Sequence, residues 1–131
     1  MIDHMSITVA DYDKARAFYL KALGPLGYGV IMEFSQKEVP SLPVPKVLGL
    51  GEGGKPDFWL SQTDSPSTPQ HICFRARNRA AVDAFYKAAL EAGAKDNGGP
   101  GLRTHYHPTY YGAFVIDVNG HNLEACCHDP E

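Results

Sequence analysis

Two histidines and a glutamate in this 131-residue chain have the types and spacing to hold a divalent cation. His4 opens "HMSITVAD" and His71 opens "HICFRARN", an offset of 67 that also carries Ala17, Phe18, Tyr19, Ala22 and Leu23 onto Ala84, Phe85, Tyr86, Ala89 and Leu90 without a gap. In the first phrase Met5, Ile7 and Val9 alternate with His4, Ser6 and Thr8; in the second, Ile72, Phe74 and Ala76 alternate with His71, Cys73 and Arg75. Successive side chains of a strand point to opposite faces, so the apolar sets must face a core and both histidines must project from the other side. In "NLEACCH" Leu123, Ala125 and Cys127 take the core side, which leaves Glu124, Cys126 and His128 on the face of the histidines. Two imidazoles and a carboxylate form a facial set that binds Fe(II), Mn, Co, Ni or Zn and leaves positions open for a substrate.

The elements that would position these groups follow from hydrophobic period. After the first strand, Asp11 can cap a helix whose stripe is Ala15, Phe18, Tyr19, Ala22 and Leu23, with Gly24 at its end. Residues 28–35, 47–50 and "DFWLSQ" read as strands, interrupted by the prolines of "QKEVPSLPVP" and the turn "GEGGKP". "TDSPSTP" is polar and turn-forming, and there the phrase restarts. Asn78 can cap the second helix and Gly93 end it; "DNGGPG" is a loop, 102–105 a short strand, 111–118 a strong one, and Asn119 and Gly120 make the last hairpin turn. The expected fold class is α+β: one domain over 1–131, made of two βαβββ modules at 1–64 and 70–128, with curved mixed sheets forming a metal-binding cleft.

Composition restricts the partners. A formal charge of −3 and an isoelectric point near 6.0 provide no basic field for nucleic acid or an anionic membrane. No apolar run approaches the ~18 residues of a membrane span, and a signal-peptide pattern is missing, so a cytoplasmic protein with a small-molecule partner is expected. Three cysteines, two of them adjacent, make no disulfide framework, and reduced thiols are expected.

"IDHMSITVAD", "QHICFRAR" and "FVIDVNGHNLEA" together resemble the glyoxalase, bleomycin-resistance and extradiol dioxygenase superfamily, the vicinal oxygen chelate proteins. The resemblance spans nearly the whole chain and implies paired modules around a cleft in which His4, His71 and Glu124 hold one divalent metal: Zn, Ni, Co, Mn or Fe. It also implies a homodimer, in which a cleft assembles within one chain or between two. A fourth ligand position of the superfamily lies on the last strand of the first module, where either Asp57 or Trp59 is its equivalent. By similarity the activity is that of a glyoxalase-like lyase or isomerase acting on a small oxygenated, thiol-conjugated substrate; a ring-cleaving dioxygenase and a non-catalytic, bleomycin-resistance-like binding protein are the alternatives.

Such chemistry needs further groups. Glu124, His105 and Tyr110 are the candidate catalytic residues, the last two from the titratable stretch "RTHYHPTYYG". Trp59, Arg75, His107 and Cys126 are the candidate substrate contacts: an aromatic wall, a guanidinium for a carboxylate, an imidazole and a thiol facing the cavity by parity. Without an activating neighbour, Cys73 and Cys126 read as small packing residues. His121, in the hairpin turn, reads as solvated, and His128 as a group standing behind Glu124.

Overall fold

The computed structural model describes all 131 residues. Strand β1 (Met5–Val9) leads into helix α1 (Tyr12–Leu23), and β2 (Gly29–Ser35), β3 (Lys46–Glu52) and β4 (Lys55–Gln62) complete the first module. The second repeats the pattern with β5 (His71–Arg75), α2 (Arg79–Glu91), β6 (Lys95–Asp96), the short β7 (Gly101–Leu102), β8 (Tyr111–Ile116) and β9 (Asn122–Cys127). The sheet orders are β1-β4-β3-β2 and β5-β9-β8-β6, with β7 appended to β8. In both, the first strand lies parallel to the last. This is the tandem βαβββ architecture expected from the repeat.

Local chemistry explains the helix boundaries. Asp11 accepts the Lys14 N–H at 3.1 Å and Asn78 accepts the Ala81 N–H at 2.8 Å, so each helix begins on the expected cap. Gly93 closes α2 in the left-handed region, but α1 ends differently from expectation. Gly24 stays right-handed and opens a 3-10 turn over Gly24–Leu26; Pro25 cannot donate the next helical bond, and Gly27 at φ +92° turns the chain away. The strand expected over 102–105 shrinks to Gly101–Leu102, because the chain turns at once: Tyr106 and His107 both donate to the Arg103 carbonyl.

The apolar faces of both sheets and both helices join one core of 25 buried residues. Phe58 of β4 meets Phe74 of β5 edge-on at 5.4 Å, and Tyr28 meets Phe74 at 5.5 Å, so the modules are fused through aromatic packing. A second tie is polar. Tyr19 of α1, fully buried, donates its hydroxyl to Asp117 just past β8, and Asp117 also accepts the N–H groups of Asn119 and His121 at 2.8 Å. Because the inner faces share one core, the polar faces of the two sheets look outward. The two sheets remain separate and unclosed.

His121 departs from expectation. It is completely buried rather than solvated: its Nδ1 accepts the Gln70 N–H at 2.9 Å, which pins the linker between modules to the final hairpin. Nδ1 is therefore the unprotonated nitrogen, and Nε2–H is left without a partner, a deficit of about 1–3 kcal/mol offset by the surrounding packing.

Candidate functional site

Strand pairing brings the chemically active side chains of the second module together. Cys73 stands opposite Glu124 and Arg75 opposite Cys126 in the parallel β5/β9 ladder. His71, Glu124, Cys73 and Cys126 form a zigzag along the two strands on the outer face. His71 Nε2 lies 3.1 Å from Glu124 Oε2, and Cys73 Sγ donates to Cys126 Sγ at 3.3 Å. Beyond them His128 Nε2 approaches Cys126 Sγ at 3.7 Å. The glutamate is 3% exposed whereas the His71 side chain is half exposed, so the carboxylate is the fixed floor and the imidazole its open edge.

Tyr110 locks that carboxylate by donating its hydroxyl to Glu124 Oε1. The space comes from Gly112: a Cβ there would stand 3.1 Å from the Tyr110 ring and 3.3 Å from Glu124 Oε1. Burial, followed by the bond to Glu124, holds the Tyr110 hydroxyl well above the usual phenol range, so it remains a proton donor at neutral pH. The thiols are a hydrogen-bonded pair. The hydrogen bond from Cys73 pushes the Cys126 thiol down to about 6, while Cys73, as the donor, is pushed far up. Cysteine 126 thus has an activating neighbour that its sequence context conceals.

The loop from Arg103 to Tyr110 covers this end of the sheet with aromatic rings: His105 packs on Tyr106, Tyr106 on Tyr110, and Tyr110 on His128. His105 lines a bay of about 330 Å³ with Arg103, Phe114 and Asn122, and His71 stacks over Phe114 beside it. His107 faces away into a bond with the Thr109 hydroxyl at 3.1 Å and meets His128 ring to ring at 6.3 Å. Arg75 is exposed at a different cleft, with Glu52, Arg77 and Asp129.

His4 does not gather with His71 and Glu124 into one close group of ligand atoms. Its Nδ1 lies 2.9 Å from Asp3, whose carboxylate also pairs with Lys55. It opens onto a cleft of about 260 Å³ with Tyr28, Asp57 and Cys73. In the first module Ser6 pairs with Trp59 as Cys73 pairs with Glu124, so Trp59 rather than Asp57 is the counterpart of Glu124. The equivalence runs at an offset of 65 at this end and 67 at the first strand, because the connections differ in length. The Trp59 indole lies over Gly49, where a Cβ would come within 2.9 Å of the ring. The first module therefore presents an aromatic plate where the second presents a carboxylate.

The family model for the glyoxalase/bleomycin resistance protein/dioxygenase superfamily matches residues 1–125. The chain belongs to that superfamily. A glyoxalase/bleomycin resistance protein from Albidiferax ferrireducens superposes with a TM-score of 0.74 at 22% identity, covering 97% of this chain and 98% of that one. An antibiotic binding protein from a Streptomyces species gives 0.67 at 19% identity over 98% and 96% of the two chains. A genomically encoded fosfomycin resistance protein from Listeria monocytogenes gives 0.68 at 17% over 98% and 93%. At these identities the likeness is one of fold. No functionally curated protein matches the sequence. No helix is long and apolar enough to cross a membrane.

Superfamily members bind small molecules and often hold a divalent metal. His71 and Glu124 suit two ligand positions of such an ion: one imidazole nitrogen and one buried carboxylate oxygen, 3.1 Å apart on an accessible face.

Proposed function

We propose that this protein is a divalent-metal-dependent enzyme of glyoxalase-like type, a lyase or isomerase acting on a small substrate with adjacent oxygens. The observation that supports the reading is the approach of His71 Nε2 to Glu124 Oε2, with Tyr110 fixing the other carboxylate oxygen. His71, Glu124 and His4 would hold the metal, which when bound polarises a substrate oxygen and stabilises an enolate-like anion. The remaining groups serve this chain's own chemistry. Tyr110 orients Glu124 and keeps one carboxylate oxygen occupied, Phe114 and His105 wall the adjoining bay, and Trp59 supplies a flat apolar surface from the first module. His105, with its imidazole in that bay, is the candidate proton carrier.

Since the outer faces of the two sheets point away from a shared core, a homodimer would bring the His4 face of one copy to the His71 face of another. Two-fold association is the commonest form of homo-oligomer. Elemental analysis of the tag-free protein and of His71→Ala, each reconstituted with a panel of divalent ions and dialysed, tests the proposal. Near-stoichiometric metal in the parent and little in the variant supports a metalloenzyme; no retained metal in either overturns it.

One observation favours a second reading. Trp59 replaces a potential acid with an aromatic plate, and stacking on indole suits sequestration of a flat ligand without chemistry. Metal-free binding of planar aromatic compounds, lost in Trp59→Ala, would select it.

A further inference from the structure

The second module contains two thiols that the His4–His71–Glu124 arrangement does not use, and they stand beside its glutamate. Cys73, Glu124 and Cys126 each offer one ligand atom, and all three atoms lie within 4.8 Å of one another. They come from directly opposed and diagonal positions of adjacent parallel strands, so backbone pairing holds their spacing. No other group of three His, Cys, Asp or Glu side chains in the chain is so gathered.

From this geometry we infer that Cys73, Cys126 and Glu124 form a thiolate-rich site for a borderline or soft divalent cation such as Zn(II) or Cd(II), complete within one protomer and independent of His4. The distances suit a tetrahedral ion. With metal–sulfur bonds near ~2.3 Å, two thiolates on a tetrahedron stand about 3.8 Å apart; Cys73 and Cys126 are at 3.3 Å and need only spread by rotation about their side-chain bonds. With metal–nitrogen and metal–oxygen bonds near ~2.0 Å, an imidazole and a carboxylate stand about 3.3 Å apart; His71 and Glu124 are at 3.1 Å. His71 stands at the open edge beside Glu124 but outside the group of three, so the fourth position is left to water or an incoming molecule unless the imidazole swings in.

The surroundings agree with a site rather than with inert packing. Glu124 is a buried carboxylate whose only protein donors are Tyr110 and the edge histidine. Cys73 is exposed, so a cation has a path in. Metal binding by thiols displaces their protons to solvent. Thiolate donors shift preference toward Zn and Cd and away from Mg and Mn, which seek oxygen.

The inference shares Glu124 with the proposed function but does not need His4, and the test uses that difference. The reduced full chain is titrated with Cd(II), and thiolate-to-cadmium charge-transfer absorption in the ultraviolet is read together with affinity by competition against a chelator. The expected result is one Cd(II) per chain with a two-thiolate band. Cys73→Ser should remove half or more of the band and weaken binding at least ~10-fold, while His4→Ala should leave both within ~2-fold. Cys73 is exposed, so its variant should fold even if Cys126→Ser does not; far-ultraviolet circular dichroism checks this. Binding without a thiolate band, or a Cys73→Ser variant that binds like the parent, overturns the inference. If that band-free binding also disappears in His4→Ala, the thiol site fails while the earlier reading stands. No cadmium bound at all, by a folded and fully reduced chain, overturns the thiol site, while the earlier reading still stands or falls on the panel of divalent ions.

Discussion

Where β9 of the second module carries Glu124 beside Cys73, β4 of the first carries Trp59 beside Ser6. The two modules have the same strand order, the same capped helix and equivalent aromatic positions on it, yet at this paired position only the second presents a metal-ligating group. The inner faces cannot diverge in this way, because both contribute to one core and a lost ring is felt throughout it. Outer-face residues are placed by register and held by local partners, Glu124 by Tyr110 and Trp59 by the space over Gly49. They can change from carboxylate to indole without disturbing the scaffold, so the repeat sets where a ligand could stand and the individual residue sets whether it does.

The largest expected effects test the shared core. Phe58→Ala in the first module and Phe85→Ala in the second should each cost about 3–5 kcal/mol, since both rings are fully buried and leave cavities their neighbours cannot fill. Urea denaturation of each should still show one transition. A variant that unfolds in two steps, with one module outlasting the other, would break the claim that the modules are a single cooperative unit.

Next comes the asymmetry of the outer faces. His71→Ala should weaken binding of the parent's preferred divalent ion by ~100-fold, about 2.7 kcal/mol, measured by calorimetry. Trp59→Ala should leave that affinity unchanged. Equal losses in the two variants would mean that the first module takes part in the metal site from its Trp59 strand, and the contrast drawn here would fail.

How much of this was legible in the sequence depends on the distance over which each residue's environment is decided. Strand parity is local, and it correctly placed Ile7, Val9, Ile72 and Phe74 inside. The caps Asp11 and Asn78 are also local, decided within three residues. Trp59 and Asp57 stand level in the sequence because the choice depends on pairing inside two modules whose connections differ by two residues. His121 reads as a turn residue until Gln70, 51 positions earlier, donates to its ring. Likewise Cys73 and Cys126 are 53 positions apart, and only the parallel β5/β9 register makes them neighbours.

A smaller effect separates two tyrosines at equivalent repeat positions. Tyr19 donates to Asp117 in the core and links α1 to the last hairpin, whereas Tyr86 donates to Asp96 at the surface at 2.9 Å. Tyr19→Phe should cost about 1.5–3 kcal/mol, the range for a buried bond to a charged acceptor; Tyr86→Phe should be barely measurable. Burial, then the charge of Asp117, holds the Tyr19 phenol well above its ordinary value near 10. The bond's contribution is therefore full below pH ~10, where an unfolded tyrosine is also protonated, and declines above it as the unfolded state alone loses its proton. The alkaline limb of stability should consequently be flatter in Tyr19→Phe than in the parent. An unchanged limb would mean that this tyrosine ionises in the folded chain.

The finest distinction concerns Tyr110, which touches Glu124 but has no place in either ligand set. Tyr110→Phe keeps the ring that packs against Tyr106 and His128 and removes only the donor. Glu124 then loses the bond that orients it, and metal affinity should fall about 10-fold, or ~1.4 kcal/mol, beside a loss of about 1–3 kcal/mol in the stability of the metal-free chain, because a buried carboxylate gives up a donor. Affinity is the quantity to measure first, because a ligand held by packing alone would give a null result there even if turnover changed. In that case Gly112, which leaves room for both groups, would be accommodating the carboxylate without help from the phenol. A 10-fold loss would instead show that the second module differs from the first in an orienting group as well as in the acid that it orients.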